Sequence, residues 1–238
     1  ALACAAARLI VDGTPAAIFE AHLEYTEPLG ALPWYVEVRF GHWEALLERA
    51  LPSPGAVHLV TTATALWARA LAHSALGDTE SATVQQAAFE RAAERVPPSR
   101  HVHNVSSHDV LAIARLLLEG ELSYRRGEFE RSFAYLRAAV EADDALPYDE
   151  PWGWMTPARH ALGALLLERS AAPSLAAPDA SALLLEAEEV YRQDLQHHPN
   201  NLWSLCGLRD CIERRAVGAH SEPPSFIDSP FSSRRDYL

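Results

Sequence analysis

The sequence predicts an all-α fold of stacked antiparallel helix pairs, and two observations support this prediction. Apolar residues recur at spacings of three and four along most of the chain, whereas strand-like alternation is confined to a short stretch at 36–40. A Gly-x-x-Glu sequence occurs at Gly41, Gly77 and Gly127, each time between two amphipathic segments. Glycine tolerates the positive φ angle of a tight turn, and glutamate is favourable in the first turn of the following helix. The repetition indicates helix–turn–helix units in series.

The segment 116–144 resembles the tetratricopeptide repeat family, because its small and large residues match those that let the paired helices of that family pack closely. The matching residues are Gly120, Tyr124, Gly127, Ser132, Leu136 and Ala139. Phrases at 38–44, 148–151 and 201–208 further resemble a bacterial-type subgroup of that family. The resemblance spans about residues 35–215 and implies a right-handed α-solenoid, a tetratricopeptide-like superhelix.

Three regions are expected along the chain: an N-terminal helix and entry segment at 1–34, a helical repeat domain at 35–215 and an extended tail at 216–238. In the first region we expect one helix over 15–25, with Thr14 as its N-cap and Pro15 at its first position. The tail should dock through its apolar residues, which are Phe226, Ile227, Phe231, Tyr237 and Leu238.

The charge balance restricts the partners. The chain carries 32 acidic residues against 20 basic ones, all of them arginine, for a net charge of -12. Nucleic acid and anionic membrane surfaces would be repelled by such a protein, and no apolar run is long enough for membrane insertion. A protein or peptide partner is expected instead, with homo- and hetero-oligomers both left open.

The spacing of the three cysteines bears on the redox state of the compartment in which the protein is found. Cys4, Cys206 and Cys211 show no CxxC or staple-like spacing. We interpret them as reduced, packed thiols, which favours the cytoplasm or another reducing compartment.

The first candidate site is the concave groove that the resemblance implies, lined by the first helix of each pair. Carrying the family's positions over gives five partner-binding candidates: Trp67, Glu121, Tyr124, His160 and Trp203. Large aromatic side chains beside charges suit peptide recognition, because they bury area while polar groups fix the register. The alternative is that tryptophans pack in the core, and about half of the six should do so.

The second candidate site is the stretch 146–160, the least repeat-like part of the repeat region. One hypothesis makes it the wall of a ligand or peptide site, formed by Tyr148, Glu150, Trp154 and Arg159. Trp154 would supply the apolar face, and the two charged residues would orient the ligand. The alternative is a packed loop in which Glu150 pairs with Arg159, followed by a helix with Thr156 as its N-cap.

The sequence assigns no catalytic residue and indicates no cofactor. It contains no GxSxG, GxGxxG or GxxxxGK[ST] sequence. Carboxylates between 141 and 150 could act as an acid–base pair, although a solvated helix end explains them as well. His101, His103 and His108 are weak metal candidates, since a His-x-His pair with a third histidine can surround zinc. A solvated polar loop is the alternative.

These observations favour a protein-interaction or assembly module that holds a peptide, a partner helix or its own tail in the groove. A second interpretation is an enzyme or small-molecule-binding protein that uses the solenoid as a scaffold, with a pocket near residues 146–160. A third is a structural subunit of a larger complex. An enclosed pocket with converging polar groups would favour the second interpretation, and an open groove or apolar patches would favour the others.

Overall fold

The computed structural model describes residues 2–53, 55, 57–150 and 152–219, with the side chains of 16 and 217–219 excepted. Helices dominate the described part of the chain, which confirms the predicted all-α class. The chain divides into two compact units, Ala1–Thr156 and Pro157–Leu238, here called unit 1 and unit 2. Among the described residues, none of the helices has the length and apolar character needed to cross a membrane. The predicted anchors of the tail lie outside the described residues.

Unit 1 begins with short helices rather than one. They are α1 (Leu2–Asp12), α2 (Ala16–Ala21), α3 (Leu23–Thr26), a 3-10 helix (Glu27–Ala31), α4 (Leu32–Arg39) and α5 (Trp43–Glu48). The predicted single helix over 15–25 is therefore wrong, because the backbone at His22 leaves the helical region with φ -126° and ψ 34°. Thr14 does not cap α2 either, since its hydroxyl donates to the carbonyl oxygen of Ile10 in the preceding helix.

Two helical hairpins follow in unit 1. The first joins α6 (Leu59–Ala75) to α7 (Thr79–Ala93), and the second joins α8 (Ser107–Arg125) to α9 (Phe129–Asp144). Gly77 and Gly127 occupy the two turns with φ angles of 86° and 78°, and Gly41 has a φ of 63° between α4 and α5. The predicted turn glycines are thus confirmed. Between the hairpins, β1 (His101–Val102) and β2 (Val105–Ser106) form a short antiparallel ladder.

The α8–α9 hairpin is closely packed at Gly120. A Cβ atom built there would lie 2.7 Å from the side chain of Leu136, too close for any real contact. Only a residue without a side chain fits at this crossing, as expected from the sequence pattern.

Unit 2 is formed by α10 (Ala158–Ser170), α11 (Ala177–His197) and α12 (Leu202–Ala219). Its centre is the fully buried ring of Tyr191. Cβ atoms built at Gly163 and Gly207 would lie 2.7 Å and 2.2 Å from its Cζ atom, so both flanking helices approach the ring through glycine. The predicted cap at Thr156 is wrong: Pro157 occupies the N-cap position of α10 and no side chain caps that helix.

The contact between Tyr191 and the two glycines gives a first prediction. Gly207→Ala should lower the free energy of unfolding by about 1–3 kcal/mol, because the new methyl group overpacks the ring. Gly163→Ala should act in the same direction. Urea unfolding monitored by circular dichroism checks this, with Gly55→Ala as control because a Cβ atom placed at Gly55 would have no neighbour within 4 Å. Equal stability of Gly207→Ala and the control would contradict the packing described.

The N-terminus of α6 is bound by a carboxylate from the 3-10 helix. Glu27 is fully buried and accepts hydrogen bonds from the backbone N–H groups of Val60 (3.2 Å) and Thr61 (2.8 Å). A carboxylate at this end of a helix satisfies otherwise unpaired donors and interacts favourably with the helix dipole. The guanidinium of Arg100 lies 3.9 Å from the same carboxylate and is also buried. The interaction fixes the 3-10 helix against α6.

Replacement of Glu27 gives a second prediction. Glu27→Gln should destabilise the protein by about 3–5 kcal/mol, because Arg100 would remain buried without its counter-charge. Thermal and urea unfolding measure the loss. Glu24→Gln, an exposed position one turn away, should change the stability little. If both variants unfold alike, the carboxylate does not anchor this helix end.

Candidate functional site

Trp67, the first predicted groove residue, lies in an aromatic cluster within unit 1. Its ring contacts Trp154 edge-on with centroids 5.3 Å apart, and Tyr35 packs on both rings. Burial raises the pKa of Tyr35 above its ordinary value, against a smaller opposing hydrogen bond with Thr64. Four of the six tryptophans are buried, namely Trp34, Trp43, Trp67 and Trp154. The expectation that about half would be core residues is close to this outcome.

Glu121 and Tyr124 lie near the end of α8 and are also buried, with 1% and 7% of their surface exposed. Glu121 accepts a hydrogen bond of 2.7 Å from Arg125 one turn later. The Tyr124 ring meets Phe129 edge-on at 5.2 Å. Without a partner present, both side chains pack within unit 1. That they contact a partner protein remains a prediction.

His160, the fourth predicted groove residue, belongs to a buried polar network in unit 2. The network centres on the carboxylate of Asp194, which is fully buried. His160 Nε2 and His198 Nδ1 each lie 2.9 Å from one of its oxygens, and Ser204 Oγ donates to the oxygen that His160 contacts. Burial alone would raise the pKa of Asp194, but the hydrogen bonds outweigh burial and hold the pKa below its usual range.

The network connects α10, α11 and the start of α12, and its hydrogen-bond pattern differs from that of a serine-hydrolase triad. In a serine hydrolase the hydroxyl faces the imidazole, which takes its proton. Here Ser204 donates to Asp194. The fifth predicted groove residue, Trp203, is half-buried beside the network and retains surface that a partner could contact.

The loop predicted as a second site is packed on one side and exposed on the other. Trp154 is buried in the aromatic cluster, and a Cβ atom at Gly153 would lie 2.5 Å from Val105. Tyr148 is 79% exposed and donates to the carboxylate of Glu150, which is itself exposed.

Two further residues of this stretch are buried. Arg159 is 7% exposed and is the second residue of α10 in unit 2. Asp149 accepts a 3.1 Å hydrogen bond from the backbone N–H of Asn104 and holds the loop to the β1–β2 turn. The sequence did not reveal this role, because the two residues lie 45 positions apart.

The three histidines considered for a metal are each held by a different group. His101 Nδ1 lies 3.0 Å from a backbone carbonyl oxygen, and His108 Nε2 lies 2.9 Å from that of Val96. His103 Nδ1 lies 3.7 Å from the carboxylate of Asp149. Within the described ranges, no group of three or more His, Cys, Asp or Glu side chains is arranged to hold a metal ion.

The cysteines are free thiols. Burial raises the pKa of Cys211 to about 12, which keeps the thiol protonated and unreactive at neutral pH. Cys4 and Cys206 are half-buried, so the expectation of packed thiols holds fully for Cys211 alone.

The sequence did not predict one cavity of unit 1, which we call the N-terminal cleft. It is an open cleft of about 700 Å³ between α1, the 3-10 helix, α4, α5 and the start of α6. Its apolar lining comprises Val11, Phe19, Pro33, Trp34, Ala45, Ala50 and Pro52. Its charged and polar lining includes Arg8, Asp12, Glu37, Glu48, Arg49, His58 and Thr61. A volume of this size suits a small molecule or the side chains of a short peptide segment.

The wall of the N-terminal cleft contains a fixed group of charges. Glu37 is 3% exposed and accepts hydrogen bonds from both Nε and Nη2 of Arg49. The guanidinium of Arg49 also lies over the ring of Trp34, 5.2 Å from its centroid. Arg8, on α1, forms an ion pair with the same Glu37 carboxylate, with Nη2 3.3 Å from Oε1. Two-sided contact of this kind fixes the guanidinium of Arg49 in place before any ligand arrives.

Two other carboxylates line the N-terminal cleft, and they differ from Glu37. Asp12 and Glu48 are both exposed, and neither forms a hydrogen bond or ion pair within the described part of the chain. Each is the last residue of its helix, α1 or α5. The cleft thus combines apolar walls, one saturated carboxylate and two carboxylates available to a ligand.

Comparison of the chain with protein-family models, with curated proteins and with solved structures found no match. The class that the fold and the cleft define is an all-helical protein with an open, mixed apolar and charged cleft.

The Asp194 network gives a third prediction. Asp194→Asn should lower the free energy of unfolding by about 1–3 kcal/mol at neutral pH, since buried donors lose a charged acceptor. The native pKa is depressed, so this stabilisation is present above the unfolded pKa of about 3.9 and is lost as pH falls through the native pKa. Urea unfolding at pH 7, 4 and 3 should show the gap to wild type narrowing below pH 4.

Asp179→Asn, an exposed change on the same helix, is the control and should differ little from wild type. A constant gap between Asp194→Asn and wild type down to pH 3 would show that the carboxylate charge does not stabilise the fold.

Proposed function

We propose that this protein is an interaction module of the tetratricopeptide-like helical-repeat type, which binds an extended peptide segment of a partner protein. Two features of the fold support the proposal. The turns of both helical hairpins of unit 1 contain a glycine with a positive φ angle. In the α8–α9 hairpin, the two helices also pack closely at Gly120. Both features are typical of helical repeats that present preformed binding surfaces.

The observation that carries the proposal is the N-terminal cleft. The cleft is open to solvent, its apolar walls can take side chains, and its charges can fix their register. The wall is pre-organised by the Glu37–Arg49 pair, so binding need not order it. The proposed binding site therefore lies in the entry region, whereas the sequence pointed to the groove residues.

A small-molecule ligand is the second candidate function, and one observation favours it. The volume of about 700 Å³ falls within the range of small-molecule sites. The pocket expected near 146–160 is less suited to this role, because Trp154 is buried in the aromatic cluster and Asp149 is buried and hydrogen-bonded to the backbone of Asn104. The N-terminal cleft is thus the common site of both candidates.

An apolar face on α12 supports the interaction role independently. Leu202, Leu205 and Ile212 remain 52%, 44% and 48% exposed, and their spacing places them along one side of the helix. Such a face is also what a structural subunit would present to a neighbour.

The proposal is tested by a substitution that fills the N-terminal cleft with a large side chain. Ala45 is exposed and lines it, so Ala45→Trp should occupy the space without disturbing the core. Selection from a random library of linear dodecapeptides should give binders of wild type, and isothermal titration should show at least a tenfold weaker Kd for Ala45→Trp. Ala134→Trp, at an exposed position on α9, should bind as wild type does.

Failure to select any binding peptide would contradict the proposal, as would selected peptides that bind Ala45→Trp and wild type equally. Binding of a small-molecule library that Ala45→Trp abolishes, with no peptide selected, would favour the second candidate. Circular dichroism and melting temperature confirm that each variant is folded.

A further inference from the structure

We propose that the N-terminal cleft recognises a basic side chain, arginine or lysine, within an otherwise apolar peptide segment. This inference rests on the proposed function and adds the chemistry of the partner. Three carboxylates and two guanidiniums line the cleft, so its charge is negative before any ligand binds.

The carboxylates of the cleft that have no partner within the described residues determine which ligand it can bind. Glu37 is held by Arg49 and Arg8, and its hydrogen-bonding capacity is directed to them. Asp12 stands one turn after Arg8 on α1, where an ion pair between the two would be favourable. The guanidinium of Arg8 instead reaches Glu37. Asp12 and Glu48 are therefore the carboxylates that a cation of the ligand can meet.

The end of α1 strengthens the preference for a cation. α1 has eleven residues, closes with Asp12 and has no basic residue in its last turn. The carbonyl end of a helix carries partial negative charge, which favours a cation and disfavours the carboxylate that stands there. At α5 this end is already occupied, since Arg69 donates to the carbonyl oxygens of Leu47 and Arg49. At α1 the last carbonyl oxygens accept hydrogen bonds, within the described part of the chain, only from uncharged donors of Gly13 and Thr14, so the partial negative charge of this end still favours a cation nearby.

The walls fit the stem of such a side chain. Arginine and lysine carry apolar methylene groups below the charge and bury them against apolar surface. Val11, Phe19 and Pro33 line the same cleft as Asp12, so the cleft offers both apolar surface and a carboxylate. The net charge of -12 attracts a basic partner from a distance and speeds encounter.

The first measurement is the composition of the selected peptides. Before selection on wild type, peptides that bind Ala45→Trp are removed from the dodecapeptide library. Because the two proteins have the same net charge, this step removes peptides that are attracted only by the overall negative charge. Peptides enriched in arginine or lysine at a fixed position are expected. Selected peptides without basic enrichment would overturn this inference and leave the proposed function standing. The absence of any selected peptide would overturn both.

The second measurement assigns the carboxylates. The double variant Asp12→Asn/Glu48→Gln should bind the best basic peptide roughly tenfold more weakly than wild type, since each surface charge contributes modestly. Its affinity for the same peptide with glutamine at the basic position should be unchanged. Glu130→Gln/Glu141→Gln makes the same change of net charge at exposed positions of α9 and should retain wild-type affinity.

Equal loss in the two double variants would show that overall charge, and not the N-terminal cleft, attracts the peptide, which would overturn the inference. The loss should also shrink when sodium chloride is raised to about 0.5 M, since exposed charges are screened. All affinities are measured by fluorescence anisotropy with labelled peptides, on variants whose melting temperature matches that of wild type.

Discussion

The buried carboxylate of Glu27 is the interaction on which the shape of the N-terminal region depends. It accepts hydrogen bonds from two N–H groups in the first turn of α6, and the Thr61 hydroxyl donates a 3.0 Å hydrogen bond to the Glu27 carbonyl oxygen. A helix end of this kind otherwise leaves donors unpaired, which is costly away from water. Because the carboxylate comes from the 3-10 helix, satisfying these donors also determines where that helix lies. The aromatic core and the hairpins then pack on a fixed start of α6.

The N-terminal cleft follows from this anchoring. Gly30 and Thr61 both line it, and a Cβ atom at Gly30 would lie 2.6 Å from Thr61 Oγ1. The 3-10 helix therefore approaches α6 more closely than a residue with a side chain would permit. The Glu37–Arg49 pair shapes one wall of the cleft, and an ion pair between Arg8 and Glu37 connects α1 to that wall. Structure and candidate function are connected here, because the groups that hold the entry helices together also form the site.

Local features of this fold could be predicted from the sequence, and long-range ones could not. Gly77 and Gly127 were predictable because a positive φ angle in a short turn leaves glycine as the natural choice. The helix break at His22 was missed, since nothing in its residue type marks it. The N-terminal cleft was missed for a different reason. Its walls depend on pairs such as Glu27 with Thr61, which are 34 positions apart and show no pattern in the sequence.

The most direct test of the central claim is an NMR titration that follows the tryptophan indole N–H resonances during addition of a selected basic peptide. Trp34, Trp43 and Trp67 are all buried, but of these three residues only Trp34 lines the N-terminal cleft. If the peptide binds in the N-terminal cleft, the Trp34 resonance should shift in a saturable way while those of Trp43 and Trp67 stay in place. A saturable shift of the Trp203 resonance with an unchanged Trp34 resonance would contradict binding in the N-terminal cleft and would indicate binding in the predicted groove instead.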